Sequence, residues 1–293
     1  MQFHNEKLFL SENLNESNRV KNVAIEKRKK DPQDTRGVKT IQRVLDILEI
    51  LEEFPEGLSL AEISQRIHLP KSTVHRILGV FLERQYIRES HTAGKYLLGY
   101  QILNLSKACA NSIDLLREAR PYLEEINKEF NETVILGGLD YRKFSVIYLD
   151  KIDTSHSLRS VSHIGDRVPI HCTALGKAIL SKIPMNELQE KLKTYELKKF
   201  TENTITDSED LIQNLREIDN VSYSIDEGEY KLHISCIAAP VCGFQGKPVG
   251  AIGVSMPAAR FSSERQIQII KKVTEAVRSI SEILILSKVQ DVW

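Results

Sequence analysis

The sequence predicts an α+β chain of two domains: a small helical module closed by a hairpin, then a larger domain with a mainly antiparallel sheet flanked by helices. Three observations predict it. Helical periodicity governs residues 40–84 and gives way at once to two short strand-like runs. Further helix reaches Phe130, beyond which strand-like segments alternate with helices and hairpin turns. The 293 residues, 41% of them hydrophobic and 27% charged, suffice for two ordinary cores. The expected divisions are a disordered extension at 1–36, a helical module at 37–99, a linker helix at 100–120 and a larger domain at 121–293.

Residues 1–36 carry no sustained hydrophobic period, and KRKKDPQDTRG at Lys27–Gly37 mixes charge, Pro and Gly as a solvated segment does. From Thr40, the residues Ile41, Val44, Leu45, Leu48 and Leu51 recur at helical spacing. Ser59 and Glu62 then form an S-x-x-E capping box for a short second helix that Pro70 stops. A third helix spans about Lys71 to Arg84, with Val74, Ile77, Leu78 and Phe81 on its apolar face and Ser72, Arg76, Gly79 and Glu83 on the other. YIRES and KYLLG read as a hairpin around HTAG, where Gly94 can supply a positive φ.

Three helices with a tight second connection and a closing hairpin make a winged helix-turn-helix, whose third helix enters the major groove of DNA. Five Lys/Arg between Lys71 and Lys95 (Lys71, Arg76, Arg84, Arg88, Lys95) face only Glu83 and Glu89, so this stretch is positive inside a chain that has 40 basic and 40 acidic residues. Lys71, Ser72, Thr73, His75 and Arg76 are the candidate groove contacts; Arg43 and Lys95 are candidates for the phosphate backbone. The alternatives are that Ser72 or Thr73 caps the helix, that Arg84 and Arg88 pair with nearby acids, and that His75 is merely solvated.

Leu103, Ile113, Leu116, Leu123 and Ile126 continue the helical spacing, and Pro121 predicts two helices or a kink there. The stripe serves either self-association or packing within its own domain. TVILGGL and FSVIYLD then read as strands, Ala174–Lys182, Asn186–Leu192 and Glu209–Ile218 as helices, HISCIAAPV and PVGAIGVSM as a hairpin across CGFQGK, and Ser263–Leu286 as a last helix capped by Ser262.

Balanced charge argues against a polyanion-coating or architectural protein. No apolar run approaches the roughly 18 residues of a bilayer span, and the first residues lack the pattern of a secretory signal, so a cytoplasmic protein is expected. Four cysteines, Cys109, Cys172, Cys236 and Cys242, fit reduced thiols better than a disulfide framework. Neither a phosphate-binding nor a dinucleotide-binding glycine loop is present, and no cofactor is expected.

Two segments concentrate chemistry. GDRVPIHCTALGK at Gly165–Lys177 runs into a helix at Thr173 or Ala174, where the N–H groups of Ala174 and Leu175 can hold a carboxylate or phosphate; alternatively Thr173 only caps and the rest packs. DEGEYKLHISCIAAPV at Asp226–Val241 brings Asp226 and Glu229 to a strand whose one face carries Ile234, Cys236 and Ala238, lining either a cavity or the core. His171, Cys172, His233 and Cys236 match no standard zinc spacing, and no metal is expected. A Cys–His nucleophile on Cys172 or Cys236 is the enzyme alternative, testable by turnover lost in Cys→Ala variants.

With TIQRVLDIL, LPKSTVHRIL, GYQILNL, GDRVPIHCTALGKAIL and DEGEYKLHISCIAAPV in order, the chain from about Val38 onward resembles the IclR (isocitrate lyase regulator) family of transcription factors. The resemblance implies a winged helix-turn-helix, a dimerising linker helix and an effector domain related to GAF and profilin-like folds. It further implies a dimer or tetramer that binds double-stranded operator DNA, more often as a repressor, under a small organic acid such as a keto or sugar acid. The text looks like regulators of 2-keto-3-deoxygluconate and related sugar-acid catabolism. Carried over by position, the effector residues are Val168, Ala174, Leu175, Asp226, Ile234, Cys236, Gly253 and Ser255, with Ser160 at the mouth. Gly253 stands where some relatives have a hydroxyl residue.

Overall fold

The computed structural model describes residues 34–90 and 94–286, without the side chains of 34–37 and 111–112. The chain divides into two compact units that part between Ser106 and Lys107. In the first, α1 (Asp34–Glu53), α2 (Leu60–Arg66) and α3 (Lys71–Glu83) are followed by strands β2 (Ile87–Glu89) and β3 (Lys95–Leu98). A two-residue strand β1 (Leu58–Ser59), which the sequence did not suggest, pairs with β3 and completes an antiparallel sheet of order β1-β3-β2. The expected extension lies outside the described residues up to 33, yet α1 already begins at Asp34, ahead of the expected boundary. A periodic apolar pattern marks where a helix is buried, not where it starts.

Ile47, Leu51, Leu58, Ile63, Val74, Leu78, Phe81 and Ile87 form the core of this unit. Each fully buried aliphatic chain contributes about 1.5–3 kcal/mol. The expected inner stripe of α1 needs correcting: Ile47 is fully buried, Val44 and Leu48 are partly so, and Ile41 and Leu45 are 62% and 50% exposed. The inner face follows Val44, Ile47, Leu48 and Leu51, leaving Val38, Ile41 and Leu45 as a second apolar stripe facing out. The capping box forms as its spacing dictates, with the Glu62 N–H donating to Ser59 Oγ at 3.3 Å and the Ser59 N–H donating to Glu62 at 2.7 Å. Gly94 adopts φ +58° as the hairpin requires.

Helix α4 (Tyr100–Ser112) precedes α5 (Asp114–Phe130). The interruption falls at Ile113, whose backbone is extended, and not at Pro121, which lies inside α5. Leu115, Ala119, Leu123 and Ile126 bury completely on one side of α5, and that burial outweighs the hydrogen bond lost at the proline. Pro121 and Arg117, whose carbonyl the missing N–H would have met, are both exposed.

The second unit contains β4 (Thr133–Asp140), β5 (Ser145–Ile152), β6 (Arg167–Pro169), α6 (Ala174–Leu180), α7 (Met185–Leu192), α8 (Ser208–Val221), β7 (Ser224–Glu227), β8 (Ile234–Cys242), β9 (Pro248–Pro257) and α9 (Ser263–Leu286). The strands form one sheet of order β6-β5-β4-β9-β8-β7 with every neighbouring pair antiparallel. Strand alternation sorts the side chains into two layers. Val134, Leu136, Ile237 and Val254 pack against α5 and α9. Ile135, Ala238 and Ala251 pack against α6, α7 and α8. The cavity described below opens on this second face.

Candidate functional site

On α3 the side chains of Lys71, Ser72, His75 and Arg76 are exposed and Thr73 is half-buried, opposite the buried Val74, Leu78 and Phe81. Neither Ser72 nor Thr73 caps the helix: Pro70 occupies that position and its carbonyl takes the Thr73 and Val74 N–H groups at 2.9 and 3.1 Å. The polar side chains are therefore left to face outward. Nothing crowds the surface at Gly79, so the stripe Ser72, Arg76, Gly79 and Glu83 is open. Arg43 is exposed on α1. Lys95 stands in register with Ser59, and its charge reaches Glu62 at the start of α2. Arg88 on β2 and Arg84 after α3 add exposed cations, legible in the local charge count but not singled out from it.

In the second unit a cavity of about 220 Å³ is lined by all nine residues carried over from the family resemblance: Ser160, Val168, Ala174, Leu175, Asp226, Ile234, Cys236, Gly253 and Ser255. Register explains the convergence. Thr133 pairs with Ser255, Ser255 with Cys236, and Cys236 with Asp226, so one rung across four strands carries four polar side chains on a single face. The next rung is Ile135, Gly253, Ala238 and Ser224, over which α6 begins. Ser224 Oγ donates to the Ala174 carbonyl at 2.6 Å and fixes that helix start. A Cβ on Gly253 would lie 3.1 Å from Leu175 Cδ2 and 3.3 Å from Ala238 Cβ, so Leu175 takes the room a hydroxyl residue would need.

Thr173 caps α6, its hydroxyl accepting the Gly176 N–H at 3.2 Å and donating to the Pro169 carbonyl at 2.8 Å. The capping alternative therefore holds for Thr173, and it leaves the Ala174 and Leu175 N–H groups ahead of the first helical bond, from the Lys177 N–H to the Thr173 carbonyl. Asp226 accepts the Glu229 N–H at 2.7 Å. Burial pushes its carboxyl up to about 7, although that backbone bond pulls the other way. Glu229 pairs with Lys177; both are buried, and burial raises the Glu229 carboxyl against the pull of the lysine.

The cavity also involves Thr133, Tyr148, Ser162, Asp166, Arg167, Tyr230 and Lys231, which sequence reasoning did not single out. Tyr230 and Lys231 sit inside a segment already marked, whereas Thr133 and Tyr148 arrive through pairings between strands distant in sequence. The wall at Ser160–Ser162 is tied back to the end of α5. Lys151 Nζ donates to the Ser162 carbonyl, Thr154 Oγ1 donates to the Asn131 carbonyl at 2.5 Å, and Asn131 Oδ1 accepts the Ser155 N–H at 3.0 Å. Arg260 spans the buried Glu132 at 2.6 Å and the Leu158 carbonyl at 3.5 Å.

The thiols are poorly suited to nucleophilic work. Burial pushes Cys172 and Cys236 each up to about 12, so both are neutral at neutral pH. His171 is committed elsewhere, with Nε2 3.1 Å from the Lys198 carbonyl and Nδ1 3.2 Å from the Tyr195 hydroxyl. Among the described residues no cluster of His, Cys, Asp or Glu could hold a metal ion. No helix there is long and apolar enough to cross a membrane.

The family model of the IclR helix-turn-helix domain matches residues 40–91, and that of the bacterial transcriptional regulator IclR C-terminal domain matches residues 107–282. The HTH-type transcriptional regulator KdgR of Escherichia coli is 34% identical over 244 residues, covering 83% of this chain and 92% of the relative. The crystal structure of the Thermotoga maritima IclR protein superposes with a TM-score of 0.71 at 29% identity, over 85% of this chain and 99% of that one. An IclR homologue from Microbacterium hydrocarbonoxydans, complexed with 4-hydroxybenzoate, shares the fold with a TM-score of 0.74 at 22% identity, over 84% and 98% of the two chains.

Proposed function

The chain belongs to the IclR family of DNA-binding transcriptional regulators and is not an enzyme, and from that premise we propose that it is a cytoplasmic repressor whose operator affinity is set by a small organic acid of the keto- or sugar-acid type. The observation that carries this reading is the polar rung Thr133–Ser255–Cys236–Asp226 beside the start of α6, inside one cavity. Such a site suits a carboxylate that also bears hydroxyls. The ligand carboxylate accepts from the Ala174 and Leu175 N–H groups, Ser255 adds a donor, and Asp226 takes a ligand hydroxyl. Ser160, Val168, Ile234, Cys236 and Gly253 shape the remaining wall. Resemblance to KdgR favours a sugar acid.

The DNA-reading face is Lys71, Ser72, Thr73, His75 and Arg76, with Arg43 and Lys95 on phosphates. One three-helix module gives a small footprint. The exposed apolar residues Val38, Ile41 and Leu45 on α1, together with Tyr100, Leu103 and Leu105 on α4, favour a homodimer or homotetramer on a near-palindromic site. Ligand and operator communicate through the segment Tyr100–Phe130, and the coupling, typically about 1–3 kcal/mol, is reciprocal.

The test is an operator titration by fluorescence anisotropy with genomic fragments selected by the protein, with and without sugar acids. Arg76→Ala is expected to cost about 1–3 kcal/mol of operator affinity if it reads a guanine. Its apo operator affinity falls while acid binding, followed by calorimetry, stays unchanged. Wild-type operator affinity in this variant would remove Arg76 from the interface, and a titration indifferent to every acid would remove the effector reading.

A further inference from the structure

Resting on the cavity reading above, we infer that the effector carries a second acidic group, read by Lys231 on the loop between β7 and β8. The charged side chains of the cavity wall are Asp166, Arg167, Asp226 and Lys231. Three of them are already committed. Asp166 accepts the His163 N–H at 2.7 Å and closes the turn there. Arg167 Nε pairs with Asp140 at 3.0 Å. Asp226 takes the Glu229 N–H.

Lys231 has no acid partner among the described residues. The acid nearest in sequence, Glu229, is turned inward to Lys177 and cannot serve it. Instead Lys231 Nζ rests 5.6 Å from the centroid of the Tyr230 ring, another cavity residue, and its charge reaches Cys236 on the polar rung. Lys231 is exposed as well as lining the cavity, so its ammonium is open to an incoming anion.

The backbone that presents Lys231 is held at both ends. Thr201 Oγ1 donates to the Gly228 and Glu229 carbonyls at 2.7 and 3.1 Å, and Thr204 Oγ1 donates to the latter at 2.7 Å. On the other side the Ile234 N–H donates to the Lys231 carbonyl at 3.2 Å, and His233, at φ +66°, gives its carbonyl to the Ala258 N–H at 2.8 Å. The backbone at Lys231 is thus fixed beside the cavity, while its exposed side chain keeps its own rotamer freedom. With the first carboxylate at the Ala174 and Leu175 N–H groups, the ligand class that satisfies both ends is a small hydroxylated diacid, or a monocarboxylic acid bearing a phosphate.

D-Gluconate and D-glucarate test this directly, because they differ only in whether the last carbon is an alcohol or a carboxylate. By calorimetry on the full chain at low salt, glucarate is expected to bind about fivefold tighter than gluconate, an advantage that shrinks with added salt. Lys231→Gln should bring glucarate to the gluconate affinity and leave gluconate unchanged, and Lys231→Arg should restore the preference. 6-Phosphogluconate in the same series separates a phosphate from a carboxylate as the second group. Equal affinities of all three acids in the wild type, or a Lys231→Gln variant that weakens them alike, overturns the inference. If gluconate still binds and Asp226→Asn weakens that binding by about tenfold or more, the cavity reading survives the failure. Absence of binding by all three overturns the inference together with the sugar-acid reading.

Discussion

Lys177→Met is expected to lower the unfolding free energy of the second unit by about 3–5 kcal/mol, because it strands a buried carboxylate while leaving the packing volume nearly unchanged. Lys177 is 2% exposed and Glu229 8%, and Glu229 Oε2 has no hydrogen-bond partner even in the intact pair. With the lysine gone, burial acts on Glu229 unopposed and the carboxyl rises further. A folded pKa raised above its unfolded value gives stability that is present at low pH and lost as pH climbs through the folded value. The variant should therefore recover part of its deficit on acidification. The double variant Lys177→Met/Glu229→Leu should regain most of it at neutral pH, since an apolar pair of similar volume carries no desolvation cost. Urea unfolding of the full chain across pH measures all three. A loss under about 1 kcal/mol in the single variant would mean that the pair is far more hydrated than its burial implies.

Asp226→Asn is expected to separate stability from ligand binding. The carboxyl moves from 3.8 toward about 7 in the folded chain, and its largest cause is burial. Three pKa units correspond to at most about 4 kcal/mol. By the sign of the linkage this contribution is fully present below pH 3.8 and lost as pH rises through about 7, so the apo wild type weakens across that window. An asparagine keeps an acceptor for the Glu229 N–H but cannot ionise. The difference between wild-type and variant stability should consequently tilt toward the variant from pH 4 to pH 8, and the variant should be the more stable protein at the upper end. The same substitution removes a charged acceptor from the proposed effector site and should cost about 1.5–3 kcal/mol of acid binding. Parallel stability curves for the two proteins would show that Asp226 is not desolvated in the folded state.

What was legible in the sequence follows how local its cause is. The Ser59–Glu62 capping box, the order of three helices and a hairpin, and the positive φ at Gly94 are decided within a few residues, and each could be read directly. The placement of a break at Pro121 failed because a local penalty was weighed without the burial of Leu115, Ala119, Leu123 and Ile126. The stripe on α1 was misjudged for a related reason: Ile41 and Leu45 have the right period but lie on the wrong side of Ile47. Periodicity identifies an apolar face without saying what covers it. In the cavity, the helix start and the Asp226 strand were found from short motifs, whereas Thr133 enters only through its pairing with Ser255, and Tyr148 lies on β5, beyond β4 from β9. No pattern within a single segment encodes such neighbours.

The contact between Gly253 and Leu175 bears on how specificity can change over generations. A side chain added first at Gly253 must displace Leu175 Cδ2 and press on Ala238 Cβ, which has no rotamer to retreat into. Overpacking of this kind typically costs about 1–3 kcal/mol. Shortening Leu175 first removes one of these obstacles and enlarges the cavity, and a hydroxyl residue at Gly253 then meets only β8. The two positions are epistatic, and the route through Leu175 is the shallower of the two. A lineage that trades an apolar patch for a hydroxyl here passes through an intermediate with a roomier and less discriminating pocket, so broad ligand acceptance precedes the new preference.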